Sequence, residues 1–127
     1  MDITDIHQYC TLLPGATCDQ AFGDDCVLYR IENHIFACIM IERFEHPLTV
    51  KLAPEYGIEV RERYYDVVNP AWHWNKKYWS EIDINRLPDK VVKHLICHSY
   101  NEVVKKLPKK VQARIPMLPE GLQPCED

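Results

Sequence analysis

The hydrophobic pattern at the start of the chain has the period of an α-helix. Four apolar residues fall at positions i, i+3, i+4 and i+7 and share one helical face: Ile6, Tyr9, Cys10 and Leu13. Asp2 or Thr4 suits the N-cap of this helix, and Pro14-Gly15 is expected to end it. The polar stretch that follows, residues 17–25, is predicted to be a connector.

The next segments are typical of β-strands. Residues 26–31 and 35–41 are rich in β-branched and aromatic side chains. Asn33 lies between them and readily takes the positive φ of a tight turn, so the pair is predicted to form a hairpin. Both faces of the second strand are apolar, which predicts a central strand that is covered on both sides.

Three further elements follow. Residues 48–52 are predicted to form a strand with Thr49 and Lys51 pointing outward. A helix is expected from Pro54 to about residue 65, because proline suits the first helical turn. Residues 67–70 are expected to be a connector, and residues 70–84 to form two short strands around Asn75-Lys76-Lys77.

A long helix is predicted from Pro88 to about Lys106. Its expected buried stripe consists of Val92, Leu95, Ile96, Ser99 and Val103. Its expected outer side consists of His94, His98, Asn101 and Lys105. The element order is therefore α-β-β-β-α-β-β-α, an α+β fold in which an antiparallel sheet is packed with helices. We expect one domain over residues 1–110 and a proline-rich extension over residues 111–127.

Charge is distributed unevenly along the 127 residues. The net charge is −4, but residues 1–60 carry a net −7 and residues 61–127 a net +3. Such asymmetry is compatible with a basic face on an acidic protein, although a solvated charged surface also explains it. The acidic N-terminus and the absence of a long apolar run indicate a cytoplasmic protein without a membrane span.

The cysteine pattern does not indicate a disulfide framework. A chain of this size can build a core without cross-links, and it contains no Cys-x-x-Cys pair. We expect reduced and mostly buried thiols at the six positions: Cys10, Cys18, Cys26, Cys38, Cys97 and Cys125.

Aromatic and basic residues are concentrated within residues 70–84. All three tryptophans, Trp72, Trp74 and Trp79, flank the pair Lys76-Lys77. Bases stack on aromatic rings and lysines contact phosphates, so this pattern is compatible with a nucleic-acid surface. The alternative is a solubilising turn whose tryptophans pack on the sheet, with Asn75 supplying the turn geometry.

A second basic run follows the last predicted helix, with no acidic residue between Val103 and Pro116. It either forms a second phosphate-contacting arm or is the solvated end of a helix, where cations suit the dipole. Its members are Lys105, Lys106, Lys109, Lys110 and Arg114.

Sequence motifs for a metal site or an enzyme are weak. His94, Cys97 and His98 have helical spacing, but Cys97 lies well round from His98 and no fourth ligand is in sight. His73 and Asp83 form only a nominal acid–base pair, and no phosphate loop or nucleophile elbow occurs. We therefore expect no catalytic residue, no metal and no cofactor.

Short motifs in a consistent order identify a family resemblance. They span about residues 8–110 and comprise Tyr9-Cys10, Leu13-Pro14-Gly15, Phe22-Gly23, Ile35-Phe36-Ala37, His98-Ser99-Tyr100 and Leu107-Pro108-Lys109-Lys110. The sharpest is His-x-Asn-Lys-Lys-x-Trp, formed by His73, Asn75-Lys76-Lys77 and Trp79. The chain thus resembles the MmcQ/YjbR family of small bacterial proteins.

The resemblance implies a "double-wing" module that is predicted to bind DNA, and a fold similar to type III secretion chaperones, which bind proteins. It implies no enzymatic activity. The chain departs from the family pattern at Ala21, at Ala53 and at Asn33-His34, where the family commonly has Gly-Lys; this last change removes a positive charge from the first hairpin.

Two functions remain open at this point. The first is weak, electrostatic DNA binding by residues His73, Asn75, Lys76, Lys77, Lys105, Lys109 and Lys110. The second is a protein-interaction module that holds a partner peptide or forms a homodimer.

Overall fold

The computed structural model describes residues 1–20, 25–41, 47–71 and 74–115. The helices are α1 (Ile3–Thr11), α2 (Pro54–Arg63), α3 (Asp89–Val104) and α4 (Lys109–Gln112). The strands are β1 (Ala16–Asp19), β2 (Cys26–Ile31), β3 (His34–Met40), β4 (Leu48–Lys51), β5 (Val68–Pro70) and β6 (Trp79–Ile82). One 3-10 turn, Ile84–Arg86, precedes α3.

The six strands form a single antiparallel sheet in the order β1-β2-β3-β4-β6-β5. Tyr29, Ala37 and Val50 are register partners across three neighbouring strands, and all belong to the main buried core. The same core includes Ile6 of α1, Val60 of α2 and much of α3. These three helices therefore cover one face of the sheet, which confirms the predicted α+β class and the central position of β3.

Strand β1 is an addition to the predicted order. Its residues lie in the segment expected to be a connector, yet they pair with β2 at the edge of the sheet. Three of its four residues are exposed, so the sequence carries no alternation that would indicate a strand. The turn into β1 uses Gly15 at φ 72°, where a Cβ would lie 2.7 Å from Cδ1 of Ile31. Only glycine fits this position without strain.

Two local predictions are confirmed by the backbone. Asp2 is the N-cap of α1: its carboxylate accepts the N–H of Asp5 at 2.8 Å, and the Asp5 carboxylate accepts the N–H of Asp2 at 3.1 Å. Glu32 and Asn33 have φ values of 48° and 68°, as the two-residue turn of the β2–β3 hairpin requires.

Helix α3 is buried on nearly all sides. The five residues of its predicted stripe are buried, but the prediction that His94, His98 and Asn101 lie on an outer side is wrong, since all three are buried as well. The region around α2 covers the two histidines: Nε2 of His94 lies 2.9 Å from the Tyr56 hydroxyl, and Nε2 of His98 accepts the N–H of Ala53 at 3.2 Å. The two histidines thus have polar partners within the fold, as buried polar groups require.

The hairpin expected within residues 70–84 begins earlier than predicted. Strand β5 starts at Val68, within the predicted connector, and pairs with β6. Before β6, the carbonyl of Asn75 accepts the N–H groups of Tyr78 and Trp79, at 3.1 and 2.9 Å. Its Oδ1 accepts the N–H of Lys77 at 3.1 Å, so Asn75 supplies the turn geometry.

The described chain ends in contact with the core. Val111 of α4 packs against the core, and Ile115 is buried in it. Phe22-Gly23, Trp72, His73 and residues 116–127 lie outside the described residues, so the proline-rich extension and its boundary remain predictions. Within the described ranges, no helix is long and apolar enough to cross a membrane.

Candidate functional site

A cleft of about 380 Å³ opens at the end of the sheet, between the tips of two hairpins. This volume lies at the lower end of the range of small-molecule sites, roughly 300–1,000 Å³. The β2–β3 hairpin lines one side with Arg30, Asn33, His34 and Ile35. Lys51, Trp74 and Trp79 line the other side, and the end of α3 contributes Val103, Lys106 and Leu107.

The serine hydroxyl of α3 explains why the sheet opens here. Strands β3 and β4 pair at only three positions, from Ile39–Leu48 to Ala37–Val50. The next pair would be Phe36 and Lys51. Instead, the hydroxyl of Ser99 donates to the carbonyl of Phe36 and accepts the N–H of Lys51 at 2.8 Å. A side chain thus replaces a strand–strand contact, and the two strands separate toward the cleft.

Three lysines from distant parts of the chain meet around one aromatic ring. The ammonium nitrogens of Lys51, Lys77 and Lys106 lie 5.6, 5.6 and 5.1 Å from the centroid of Tyr78. Each distance is within the range of a cation–π contact, about 6 Å. The ring therefore holds together three positive charges that would otherwise repel one another.

In the part of the chain that the structure describes, no carboxylate forms an ion pair with the lysine cluster, which consists of Lys51, Lys77 and Lys106. Among the described residues, none of the three is in an ion pair within 4.0 Å. Burial lowers the pKa of Lys51, and the neighbouring ammonium of Lys106 lowers it further. Glu102 opposes this shift, but its carboxylate is bound to Lys105 at 2.9 Å. The cluster is therefore a local excess of positive charge.

On the opposite wall of the cleft, the positive charge of Arg30 has nearby partners. Nε of Arg30 lies 3.0 Å from the carboxylate of Asp19, and its Nη1 donates to the carbonyl of Asn33 at 3.1 Å. The charge of Arg30 is therefore largely compensated. His34 is exposed at the start of β3.

The two described tryptophans are packed against each other. The ring centroids of Trp74 and Trp79 are 4.5 Å apart, with an angle of 37° between the planes. Trp74 also packs on a small buried cluster, Cys26, Leu28 and Cys38, which is separate from the main core. Both indoles are half-buried and line the cleft, so they anchor the loop before β6 and still present surface to a ligand.

The predicted binding residues are only partly brought together. Lys77 joins the cluster; Lys76 and Asn75 are exposed in the same turn. Lys105 is bound to Glu102, and Lys109 and Lys110 are exposed on α4, while His73 lies outside the described residues.

Lys51 and Arg30 were missed by the sequence reasoning, and Lys106 was noted only as part of the second basic run. The outward position of Lys51 near the end of a strand was a signal, but only the pairing of β4 with β6 places it beside Tyr78.

The residues considered for metal binding have other contacts. Cys97 lies 2.9 Å from the Tyr9 hydroxyl, and Tyr56 stacks on His98 with ring centroids 4.4 Å apart. Asp83, the nominal partner of His73, accepts the N–H of Asn85 at 3.1 Å. No group of three or more metal-ligating side chains occurs in the part of the chain that the structure describes.

The thiols follow the predicted pattern where the structure describes them. None of the five described cysteines forms a disulfide; four of them are buried, and Cys18 is exposed. The sulfur atoms of Cys26 and Cys38 lie 2.9 Å apart beneath Trp74. Burial raises the pKa of Cys38, as does its hydrogen bond with Cys26, so its thiol is protonated at neutral pH.

Comparisons with known proteins agree on one family. A family model described as YjbR matches residues 11–102. The chain is 30% identical over 112 residues to the Escherichia coli K12 protein named "Uncharacterized protein YjbR", covering 86% of this chain and 92% of that relative.

Solved structures give the same result at the level of the fold. The chain superimposes on a Deinococcus radiodurans protein of domain family DUF419 with a TM-score of 0.84 and 26% identity, covering 94% of this chain and 92% of the other. A Pseudomonas syringae protein matches with a TM-score of 0.66 and 21% identity, covering 78% and 96%, which shows the fold alone. None of these names states an activity, a ligand or a partner.

Proposed function

We propose that this chain, which belongs to the YjbR family, is a non-enzymatic cytoplasmic protein that binds nucleic acid through the lysine cluster and its cleft. The observation that carries the proposal is the meeting of Lys51, Lys77 and Lys106 around Tyr78 without a described carboxylate partner. A phosphate group supplies the missing negative charge.

The energetic argument is electrostatic. Bringing Lys51 and Lys106 together in a partly buried position is unfavourable, as the lowered pKa of Lys51 indicates. A bound phosphate removes that repulsion and releases the counterions that accompany the nucleic acid. Three phosphate contacts correspond to a slope of about −2 in log K against log salt for a single strand.

Flanking groups extend the basic surface. The exposed lysines of the turn and of α4, Lys76, Lys109 and Lys110, would contact neighbouring phosphates, whereas Lys105 is already paired with Glu102. Such contacts position a strand without reading its sequence. Because the whole chain has a net charge of −4, we expect weak binding, with a dissociation constant of about 10⁻⁴ to 10⁻⁶ M near physiological salt.

The test is a titration of labelled DNA, single-stranded and duplex, at about 50 and about 200 mM salt, with the variant Lys51→Gln, Lys106→Gln. Glutamine keeps part of the aliphatic stem and removes the charge. We expect this variant to bind more weakly and to reduce the salt slope by more than one unit.

The matched control is Lys90→Gln, Lys93→Gln, which removes the same charge near the other end of α3, about 20 Å along the helix. Equal losses in both variants, or no DNA binding by the unmodified protein at about 50 mM salt, would overturn the proposal.

A protein-interaction module is the second candidate, and one observation favours it. Strand β1 is an edge strand with three exposed residues, the kind of edge that a partner strand can extend. A peptide that co-purifies with the protein, or a dimer whose mass by light scattering does not change with salt, would support this candidate in place of the first.

A further inference from the structure

We infer that the cleft accepts one unpaired nucleotide of a single strand, with the phosphate on the lysine cluster and the base against the Trp74 indole. This inference rests on the proposed function and specifies the form of nucleic acid that the site takes. Its basis is the position of a packed pair of indoles and of two cations of the lysine cluster, Lys51 and Lys106, on the walls of one small cleft, with Lys77 beside them on Tyr78.

The size of the cleft favours a single nucleotide. At about 380 Å³ it holds a group of small-molecule size, and it lies between two hairpin tips rather than on a flat surface. Its apolar lining consists of Ile35, Val103 and Leu107, which are half-buried or buried. A base that leaves water gains from contact with this surface, whereas a duplex presents mainly charged phosphates and sugars on its outside.

The indoles discriminate between paired and unpaired bases. A base inside a duplex is covered on both faces by its neighbours, so it has no face free for an aromatic side chain. Trp74 is held by Trp79 and by the cluster Cys26, Leu28 and Cys38, so its ring is fixed before a ligand arrives. This preorganisation reduces the entropy lost when a base stacks on it.

Phosphate and base can be bound at the same time because Lys51, Lys106 and the two indoles line the same cleft. Tyr78, which holds the three ammonium groups, directly precedes Trp79, and the N–H groups of both residues are bound by the carbonyl of Asn75. Lys51 is the register partner of Trp79 across β4 and β6. Lys51 on β4, Lys77 in the turn before β6 and Trp79 on β6 thus lie close together, and Lys106 joins them from the end of α3.

The experiment compares three ligands with equal numbers of nucleotides and phosphates at about 50 mM salt: an oligothymidine, an abasic strand and a duplex formed by a self-complementary hairpin. Base–aromatic stacking predicts that the oligothymidine binds about 5- to 150-fold more tightly than the abasic strand and the duplex. Thymidine monophosphate at millimolar concentration is expected to displace the oligothymidine, which tests whether one nucleotide fills the site.

The variant Trp74→Leu removes the ring and keeps an apolar side chain over the small cluster. We expect it to abolish the preference for the oligothymidine over the abasic strand, with thermal unfolding as the check on folding. If the variant does not fold, the affinities of the unmodified protein for the oligothymidine and the abasic strand test the same contact.

Equal affinity for the three ligands would overturn this inference and leave the proposed function standing. The same holds if Trp74→Leu retains the preference, or if the mononucleotide does not compete. Failure of all three ligands to bind at about 50 mM salt would overturn both proposals.

Discussion

The two hairpins on either side of the cleft balance their charges in different ways. On the β2–β3 hairpin, Arg30 is bound to Asp19 and to a backbone carbonyl, and the turn adds the negative charge of Glu32. On the β5–β6 side, Lys77 shares the ring of Tyr78 with Lys51 and Lys106. The net charge of the chain therefore says little about where an anion binds, because local pairing decides it.

The hairpins also differ in what fixes their tips. The β2–β3 strands pair up to Ile31–His34, next to the two-residue turn. The β5–β6 pairing ends at Pro70–Ser80, and the loop beyond it is held by hydrogen bonds to Asn75 and by the packing of Trp74. The first tip is thus a two-residue backbone turn, whereas the second also depends on the side chains of Asn75 and Trp74. The four predictions that follow test these two differences.

The largest effect is expected for Ser99→Ala, which removes the group that separates the two hairpins. It leaves the Phe36 carbonyl and the Lys51 N–H without their shared partner. At about 1–3 kcal/mol for each unsatisfied buried group, the free energy of unfolding should fall by about 2–6 kcal/mol.

Denaturant unfolding measures this loss. Ser80→Ala is the control, since it removes a hydrogen bond from Arg61, a residue that is only half-buried. A smaller loss for Ser99→Ala than for Ser80→Ala would contradict the role assigned to Ser99.

The second prediction concerns a charge reversal in the lysine cluster. Lys106→Glu places a carboxylate beside Lys51 and Tyr78, so we expect affinity for single-stranded DNA to fall by more than about tenfold. Lys109→Glu makes the same change in net charge on exposed α4, and we expect a loss of about threefold or less. Fluorescence-anisotropy titrations with single-stranded DNA measure the affinity of both variants. Equal losses would mean that overall charge, rather than the cluster, governs binding.

The third prediction concerns the carboxylate of Asp19, on the β2–β3 side of the cleft. Asp19→Asn removes the partner of Arg30, so an uncompensated cation then faces the cleft and DNA affinity should rise by about two- to threefold. Asp66→Asn changes the net charge equally at the carboxylate that lies near Arg86. An increase of the same size in both variants would show that the gain is not local.

The fourth prediction concerns pH. Phosphate binding needs protonated Lys51, and burial together with Lys106 lowers the pKa of that lysine. Affinity should therefore be greatest at lower pH and should decline as pH rises, at a lower pH than that at which an ordinary lysine with a pKa of about 10.4 loses its proton.

Lys51→Arg should flatten this pH profile, because arginine stays charged throughout. A decline of the same size in the Lys51→Arg variant would assign the pH dependence to another group.

The sequence was informative where structure depends on local physics. The i, i+3, i+4 spacing near Ile6, the cap at Asp2 and the positive φ at Asn33 are each determined by neighbouring residues, and each was predicted. The buried stripe of α3 was predicted for the same reason.

The failures arise where a distant segment supplies the partner. His94 and His98 have the polarity of surface residues, but Tyr56 and the N–H of Ala53 provide hydrogen bonds inside the fold. Strand β1 is a strand because β2 pairs with it, not because its residues alternate. Only part of the candidate site was predictable: Lys77 follows from the aromatic and basic pattern, whereas Lys51 reaches it through the pairing of β4 with β6.

The hydroxyl of Ser99 has a consequence for how the molecule holds together. Among the described residues, three register pairs join β3 to β4, and beyond Ala37–Val50 the hydroxyl of Ser99 takes the place of a further pair. Helix α3 thus bonds to both strands through one side chain. The connection between β1-β2-β3 and β4-β6-β5 therefore runs through the helix as well as through the hydrogen-bonded ladder of the sheet, and both contribute to the cooperativity of unfolding.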